Sequence, residues 1–158
     1  MKQVTVCFSK SRNRRFPIGS WLIRWYLGTA YSHVSYHFEA EKYDCTLVYE
    51  AVGSGIRFIE KQNWLQHAEI VSSYSLTIPD SIYEKMMFVC IKKAGLPYGY
   101  SQNLGVVVAD ILNLRHNPLP AHENCSELLA EILEEAGYVF SKSYDLITPL
   151  DIERALKR

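Results

Sequence analysis

Apolar and polar residues alternate strictly over residues 33–38 (HVSYHF), which puts His33, Ser35 and His37 on one face of a strand and Val34, Tyr36 and Phe38 on the other. This period of two predicts a half-buried strand. β-Branched and aromatic runs predict further strands at 4–8 (VTVCF), 46–51 (TLVYEA), 55–60 (GIRFIE) and 69–76, with a turn or short helix around Trp64. Short connections such as Val52-Gly53-Ser54 make the sheet antiparallel.

A helical period takes over in the second half. Ser81 and Glu84 have capping-box spacing, and the apolar run after them stops at Ala94-Gly95. Pro97-Tyr98-Gly99-Tyr100 predicts a turn, 104–112 a helix, and 113–123, with two prolines, a loop. The strongest helix signal is 124–137 (NCSELLAEILEEAG). Asn124 is its N-cap, Glu127 stands three residues on, Leu128, Leu129, Ile132 and Leu133 form one apolar stripe, and Gly137 is the stop. Two shorter helices complete the set: 20–27 (SWLIRWYL), capped by Ser20 and stopped by Gly28, and one opened by Thr148-Pro149 with proline in first position. No repeat or linker interrupts the pattern, so residues 1–158 read as a single α+β domain, an antiparallel central sheet packed against helices.

Composition narrows the classes. Apolar residues at 48% and charged residues at 22% suit a folded domain rather than a disordered chain. Seventeen basic and seventeen acidic residues cancel, leaving no general attraction to nucleic acid, so no nucleic-acid partner is expected. The one basic run, 10–15 (KSRNRR), reads as a solvated loop. No segment approaches the roughly 18 apolar residues of a membrane span, and the first residues lack a signal peptide's apolar core. The expectation is a cytoplasmic or phage-encoded protein with no integral membrane segment. Cys7, Cys45, Cys90 and Cys125 show no C-x-x-C pairing and read as separate thiols.

One of those thiols has a special address. With Asn124 as cap, Cys125 is the first helical residue, where free N–H groups and the positive end of the helix dipole favour a thiolate and can also bind an oxyanion. The alternative is a cysteine that merely fills space beneath the helix. Cys7 and Cys90 lie in apolar strand and helix patterns, and Cys45 follows Asp44, which would raise its pKa. A thiol nucleophile needs an imidazole base and that base an acceptor. His67, His116 and His122 fall in loop or turn sequence, whereas His33 and His37 share a rigid strand face, and spacing does not choose between them. Glu50, on the next strand, could accept from a cross-strand histidine or could simply face solvent.

A short helix leads into Ser32-His33-Val34. Val48-Tyr49-Glu50-Ala51 and Gly53-Ser54-Gly55-Ile56 follow, and Asn124-Cys125-Ser126-Glu127-Leu128 then opens a helix. This motif order resembles that of the circularly permuted papain-like cysteine amidases of the YiiX/YaeF type, relatives of NlpC-type cell-wall peptidases and of lecithin:retinol acyltransferase. Thr148-Pro149-Leu150-Asp151 is similar to the family's closing segment. The resemblance spans residues 20–152 and implies a permuted papain-like fold with histidine before cysteine. It implies Cys125 as nucleophile, His33 as base and Glu50 as the carboxylate that orients it, which separates His33 from His37. Tyr98 is a candidate for the substrate cleft or oxyanion site.

The activity so implied is an amidase or peptidase working through a thioester, without cofactor or metal. Its expected substrates are peptide or isopeptide bonds, such as those of peptidoglycan fragments, or N-acyl and lipid-like amides. Two other classes stand beside it. One is a non-catalytic ligand-binding module on the same fold. The other is a metal site using His33 and His37 with Glu50 or Cys125, disfavoured because strand residues i and i+4 lie about 13 Å apart.

Overall fold

A computed structural model describes residues 1–12, 18–119 and 122–158. The chain runs β1 (Lys2–Ser11), α1 (Ile18–Leu27), β2 (His33–Ala40), β3 (Cys45–Val52), β4 (Gly55–Glu60), α2 (Lys61–Leu65), β5 (Ala68–Ile78), α3 (Asp80–Lys93), α4 (Tyr100–Ile111), α5 (Cys125–Glu135) and α6 (Pro149–Leu156). The strands form one five-stranded sheet in the order β4-β3-β2-β1-β5, antiparallel throughout. The fold is α+β, an antiparallel sheet packed with helices.

Alternation along the strands builds two unequal layers. Val4, Val6, Phe8, Val34, Tyr36, Phe38 and Tyr49 point to the face covered by α5 and α3, where Leu128, Leu129, Ile132, Leu133, Met86 and Cys90 complete the main core. Each leucine or isoleucine buried there removes its side chain from water for about 2 kcal/mol. The opposite face carries Val48 and Ala68 beneath Trp64 of α2. Its capping by Glu60, whose side chain accepts from the N–H groups of Gln62 and Asn63, fixes where this short helix starts.

That second cover corrects one expectation. β2 is not half-buried: Ser35 and His37, on the face read as polar, are as inaccessible as Val34 and Tyr36. A local period of two identifies faces but does not reveal that a distant helix covers the second. Other differences are smaller. β1 and β5 run longer than read, so Lys10 and Ser11 of the basic run belong to a strand rather than a loop, while residues 13–15 lie outside the described residues. α4 begins at Tyr100, because its polar first turn hides the helical period. Ser81 forms no capping box: α3 starts two residues earlier than that box implies, with Pro79 in the cap position and no side-chain cap bond. Gly95, at φ +87°, ends that segment as expected.

Asn124 caps α5 as read, its Oδ1 accepting from the N–H groups of Ser126 and Glu127 at 2.9 Å each. Glu127 does not close a reciprocal box and instead accepts from the Gln102 amide at 2.8 Å. Thr148 and Asp151 do form such a box at the start of α6, with Pro149 in first position. Among the described residues no helix is long and apolar enough to cross a membrane.

Candidate active site

Two strands and one helix end converge at the sheet end where β2 begins. His33 is the first residue of β2, paired across to Ser9 of β1. The β3–β4 hairpin turns through Gly53-Ser54, which fixes Val52 opposite Gly55 and therefore Glu50 opposite Arg57. A Cβ on Gly53 would sit 1.8 Å from the Tyr100 hydroxyl, so Tyr100 of α4 lies directly over this turn and its exposed ring would have to shift for any larger residue there. α5 then brings Cys125 onto the same corner by packing on β2 and β3.

Glu50 is the fixed point of the site. It is buried, and every direction around its carboxylate is occupied. Oε2 accepts from the indole N–H of Trp64 at 2.8 Å and meets His33 Nε2 at 3.0 Å. Oε1 accepts from Arg57 Nε at 3.1 Å and Nη2 at 2.8 Å. Burial alone would raise its pKa, but the bonds from His33, Arg57 and Trp64 outweigh it and hold the carboxyl at about 2. An ionised carboxylate can only accept, so Nε2 of His33 carries the proton and Nδ1 is the nitrogen left for another partner.

Cys125 at the start of α5 is the group whose charge acts most strongly on His33, and His33 in turn acts on Cys125. Burial pushes the Cys125 thiol up. The charge and hydrogen bond of His33, the backbone N–H of Val34 and the Ser126 hydroxyl, 3.9 Å away, outweigh this and bring it below the ordinary 9.0. For His33, burial pulls the pKa down, yet the Cys125 thiolate and the Glu50 carboxylate raise it above the ordinary 6.5. Both shifts favour a thiolate–imidazolium pair. Asn124 takes the N–H groups of Ser126 and Glu127, so the N–H of Cys125 stays outside the cap.

Tyr98 reaches the same corner. A Cβ on Gly99 would lie 1.5 Å from the carbonyl oxygen of His122, and Gly99 N–H donates to the Glu123 carbonyl at 3.1 Å. Glycine therefore lets this turn lie against the segment entering α5. Tyr98 lines a cavity with Cys125, accepts from Asn103 Nδ2 at 2.9 Å and stacks edge-on against Tyr100 at 5.0 Å. Burial, followed by the nearby Cys125, raises the pKa of its hydroxyl, which stays protonated.

His37 goes elsewhere. Its Nδ1 is 3.4 Å from Cys7 Sγ, its Nε2 is 2.9 Å from Ser35 Oγ, and Trp64 packs edge-on against its ring. His33 and His37 thus face different partners, and among the described residues no group of three or more His, Cys, Asp or Glu is arranged to hold a metal ion. His67, His116 and His122 are exposed. All four cysteines are free, and burial raises Cys7 to about 11 and Cys90 to about 12.

Sequence reasoning missed Arg57 and Trp64, the two side chains that join His33 in holding Glu50. Arg57 was within reach of it, because a two-residue hairpin at Gly53-Ser54 fixes the Glu50–Arg57 register. Trp64 was not, since it arrives from a separate element on the other sheet face. Neither a scan against protein-family models nor a search of the curated proteins gives a match.

Proposed function

We propose that the chain is a cysteine-nucleophile hydrolase of amide bonds, an amidase or peptidase, built on a permuted papain-like fold with Cys125, His33 and Glu50 as its catalytic set. The observation that carries this reading is the buried, ionised Glu50 carboxylate 3.0 Å from His33 Nε2, with His33 and Cys125 shifting one another toward the charged pair.

In the forward step the Cys125 thiolate attacks the carbonyl carbon, and the carbonyl oxygen takes the negative charge. The N–H of Cys125 at the helix end and the Tyr98 hydroxyl, which lines the same cavity, are the donors assigned to that oxyanion. Imidazolium His33 gives its Nδ1 proton to the leaving nitrogen, the C–N bond breaks, and the acyl group remains as a thioester. Water then loses a proton to His33 and attacks the thioester. The C–S bond breaks and the thiolate–imidazolium pair is restored. Glu50 holds Nε2–H throughout and stabilises the imidazolium.

Alkylation provides the test. At neutral pH, iodoacetamide is expected to modify Cys125 several times faster than free cysteine, with Cys7 and Cys90 unmodified in the folded protein, and His33→Ala is expected to remove the excess rate. Reaction at Cys125 no faster than at free cysteine, or unaffected by loss of His33, overturns the reading.

A further inference from the structure

Large apolar side chains left in water gather on α1 and α4. Trp21, Leu22 and Trp25 of α1 and Tyr100, Leu104 and Ile111 of α4 are all between 47% and 73% exposed. At about 100° per residue, Tyr100, Leu104 and Ile111 fall within about 40° of one another around their helix, and Trp21 and Trp25 do the same around theirs. The two indoles stack, with ring centroids 6.4 Å apart. The stripes adjoin: Leu22 and Trp25 share the walls of one cavity with Tyr100 and Leu104, and the Tyr26 hydroxyl ties the helices by donating to Asp110 Oδ2 at 2.7 Å. An apolar face continued across two helices marks an interaction surface.

Charge identifies what covers it. Residues 1–38 contain Lys2, Lys10, Arg12, Arg14, Arg15 and Arg24 and no acidic residue, although the whole chain is neutral, so the compensating acids all lie beyond. α1 belongs to this basic stretch. Lys10 lines a groove on one side of it with Ile23, and Arg115 and Lys142 line a groove on the other with Tyr26. Lys10 and Lys142 are paired with Glu69 and Asp151, whereas Arg24 and Arg115 have no acidic partner among the described residues. Asp110, the one acidic residue in either helix, is engaged by Tyr26.

We propose that the α1–α4 face docks on the surface of an anionic lipid bilayer, with Trp21 and Trp25 in the headgroup layer. Indole rings settle at that depth, leucine and isoleucine reach the acyl boundary, and anionic headgroups attract the basic flanks. A second copy of the same face would set like charges against one another. Nucleic acid would offer a charged surface rather than apolar cover to Leu22, Leu104 and Ile111. Docking requires no chemistry at Cys125, so it stands or falls separately from the hydrolase reading.

Vesicle sedimentation tests this on the full chain. Vesicles of about three parts phosphatidylcholine to one of phosphatidylglycerol are expected to bind at least about tenfold more tightly than phosphatidylcholine alone, and less so as salt is raised. Tryptophan emission should shift to the blue on binding. Trp64 is only 2% exposed, so that shift reports Trp21 and Trp25. Trp21→Ala combined with Trp25→Ala is expected to weaken binding at least about tenfold. Phe88→Ala combined with Ile91→Ala, a similarly exposed apolar pair on α3, should stay within about twofold of the parent. No binding to the anionic vesicles, equal binding to both compositions, or equal losses from the α1 and α3 pairs overturns the proposal. So does self-association without lipid that the α1 substitutions abolish, which would assign the face to a second copy.

Discussion

Four residues apart on one face of β2, His33 and His37 each interact with a cysteine, and the two pairs end in opposite states. At His37 both partners are neutral. Burial, aided by Lys61, lowers the histidine to about 3, and burial raises Cys7 to about 11. At His33 burial acts in the same directions and is overcome. The difference lies behind and around the pair. Nε2 of His33 faces a carboxylate held ionised by Arg57 and Trp64, whereas Nε2 of His37 faces the neutral Ser35 hydroxyl. The Cys125 sulfur sits at a helix start near the Val34 N–H, whereas Cys7 lies mid-strand. Contact between thiol and imidazole does not separate charge; an anchored counter-ion and donors to the sulfur do.

The sharpest way to break the contrast is to remove each sulfur in turn. Cys125→Ala is expected to lower amide hydrolysis at least about a thousandfold in a steady-state assay, as loss of a nucleophile does. Cys7→Ala is expected to stay within about twofold of the parent. A comparable loss from both would mean that the neutral pair takes part in the chemistry.

Next in size is the counter-ion. Glu50→Gln keeps a side chain of the same shape but removes the charge that supports imidazolium, and a loss of about a hundredfold or more in kcat is expected. The pH–rate profile should change with it. In the parent the acid limb is expected to report Cys125, lowered from 9.0, and the alkaline limb His33, raised to about 10, so activity should fill the window between them. Glu50→Gln should narrow that window by moving the alkaline limb toward acid. An unmoved alkaline limb would show that Glu50 does not sustain the imidazolium.

The residues differ in how readily they could be found from sequence. Cys125 was legible because an N-cap is a local signal: Asn124 and the apolar stripe of α5 lie within a dozen residues, and the cap forms as read. The strand face holding both histidines was equally legible, and so was the antiparallel sheet. Physical reasoning could not rank His33 above His37, because the ranking depends on what lies behind each ring. Those partners are Glu50 with Arg57 and Trp64 in one case, and Ser35 with the underside of Trp64 in the other. Only the motif resemblance separated them. The two-sided burial of β2 was illegible for the same cause, since α2 reaches its place through the chain's path from β4 across to β5.

Stability gives a gentler test of the neutral pair. His37 stays unprotonated in the folded state down to about 3, whereas an unfolded histidine takes a proton near 6.5. Between those values the unfolded chain binds the extra proton, so stability falls as the solution is acidified. Glu50 adds a loss of the same sign lower down, from its ordinary 4.5 toward about 2. His37→Gln is therefore expected to flatten the decline in urea midpoint between pH 6.5 and 4.5, and to leave below it only the part of the fall that Glu50 causes. An unchanged slope over that upper interval would mean that His37 is protonated in the native protein.

Ser35→Ala should have the smallest effect and separates the two pairs most cleanly. It deletes the hydroxyl 2.9 Å from His37 Nε2 and leaves that nitrogen buried without its partner, at a cost of about 1 kcal/mol. In a chain of this length that corresponds to a Tm lower by about 2–4 °C in a thermal scan. Hydrolysis and Cys125 alkylation should be unchanged, because nothing in the Glu50–His33–Cys125 line passes through Ser35. If alkylation at Cys125 slowed in this variant, the two imidazoles of β2 would be electrostatically linked, and the neutral pair would have to count as part of the catalytic environment.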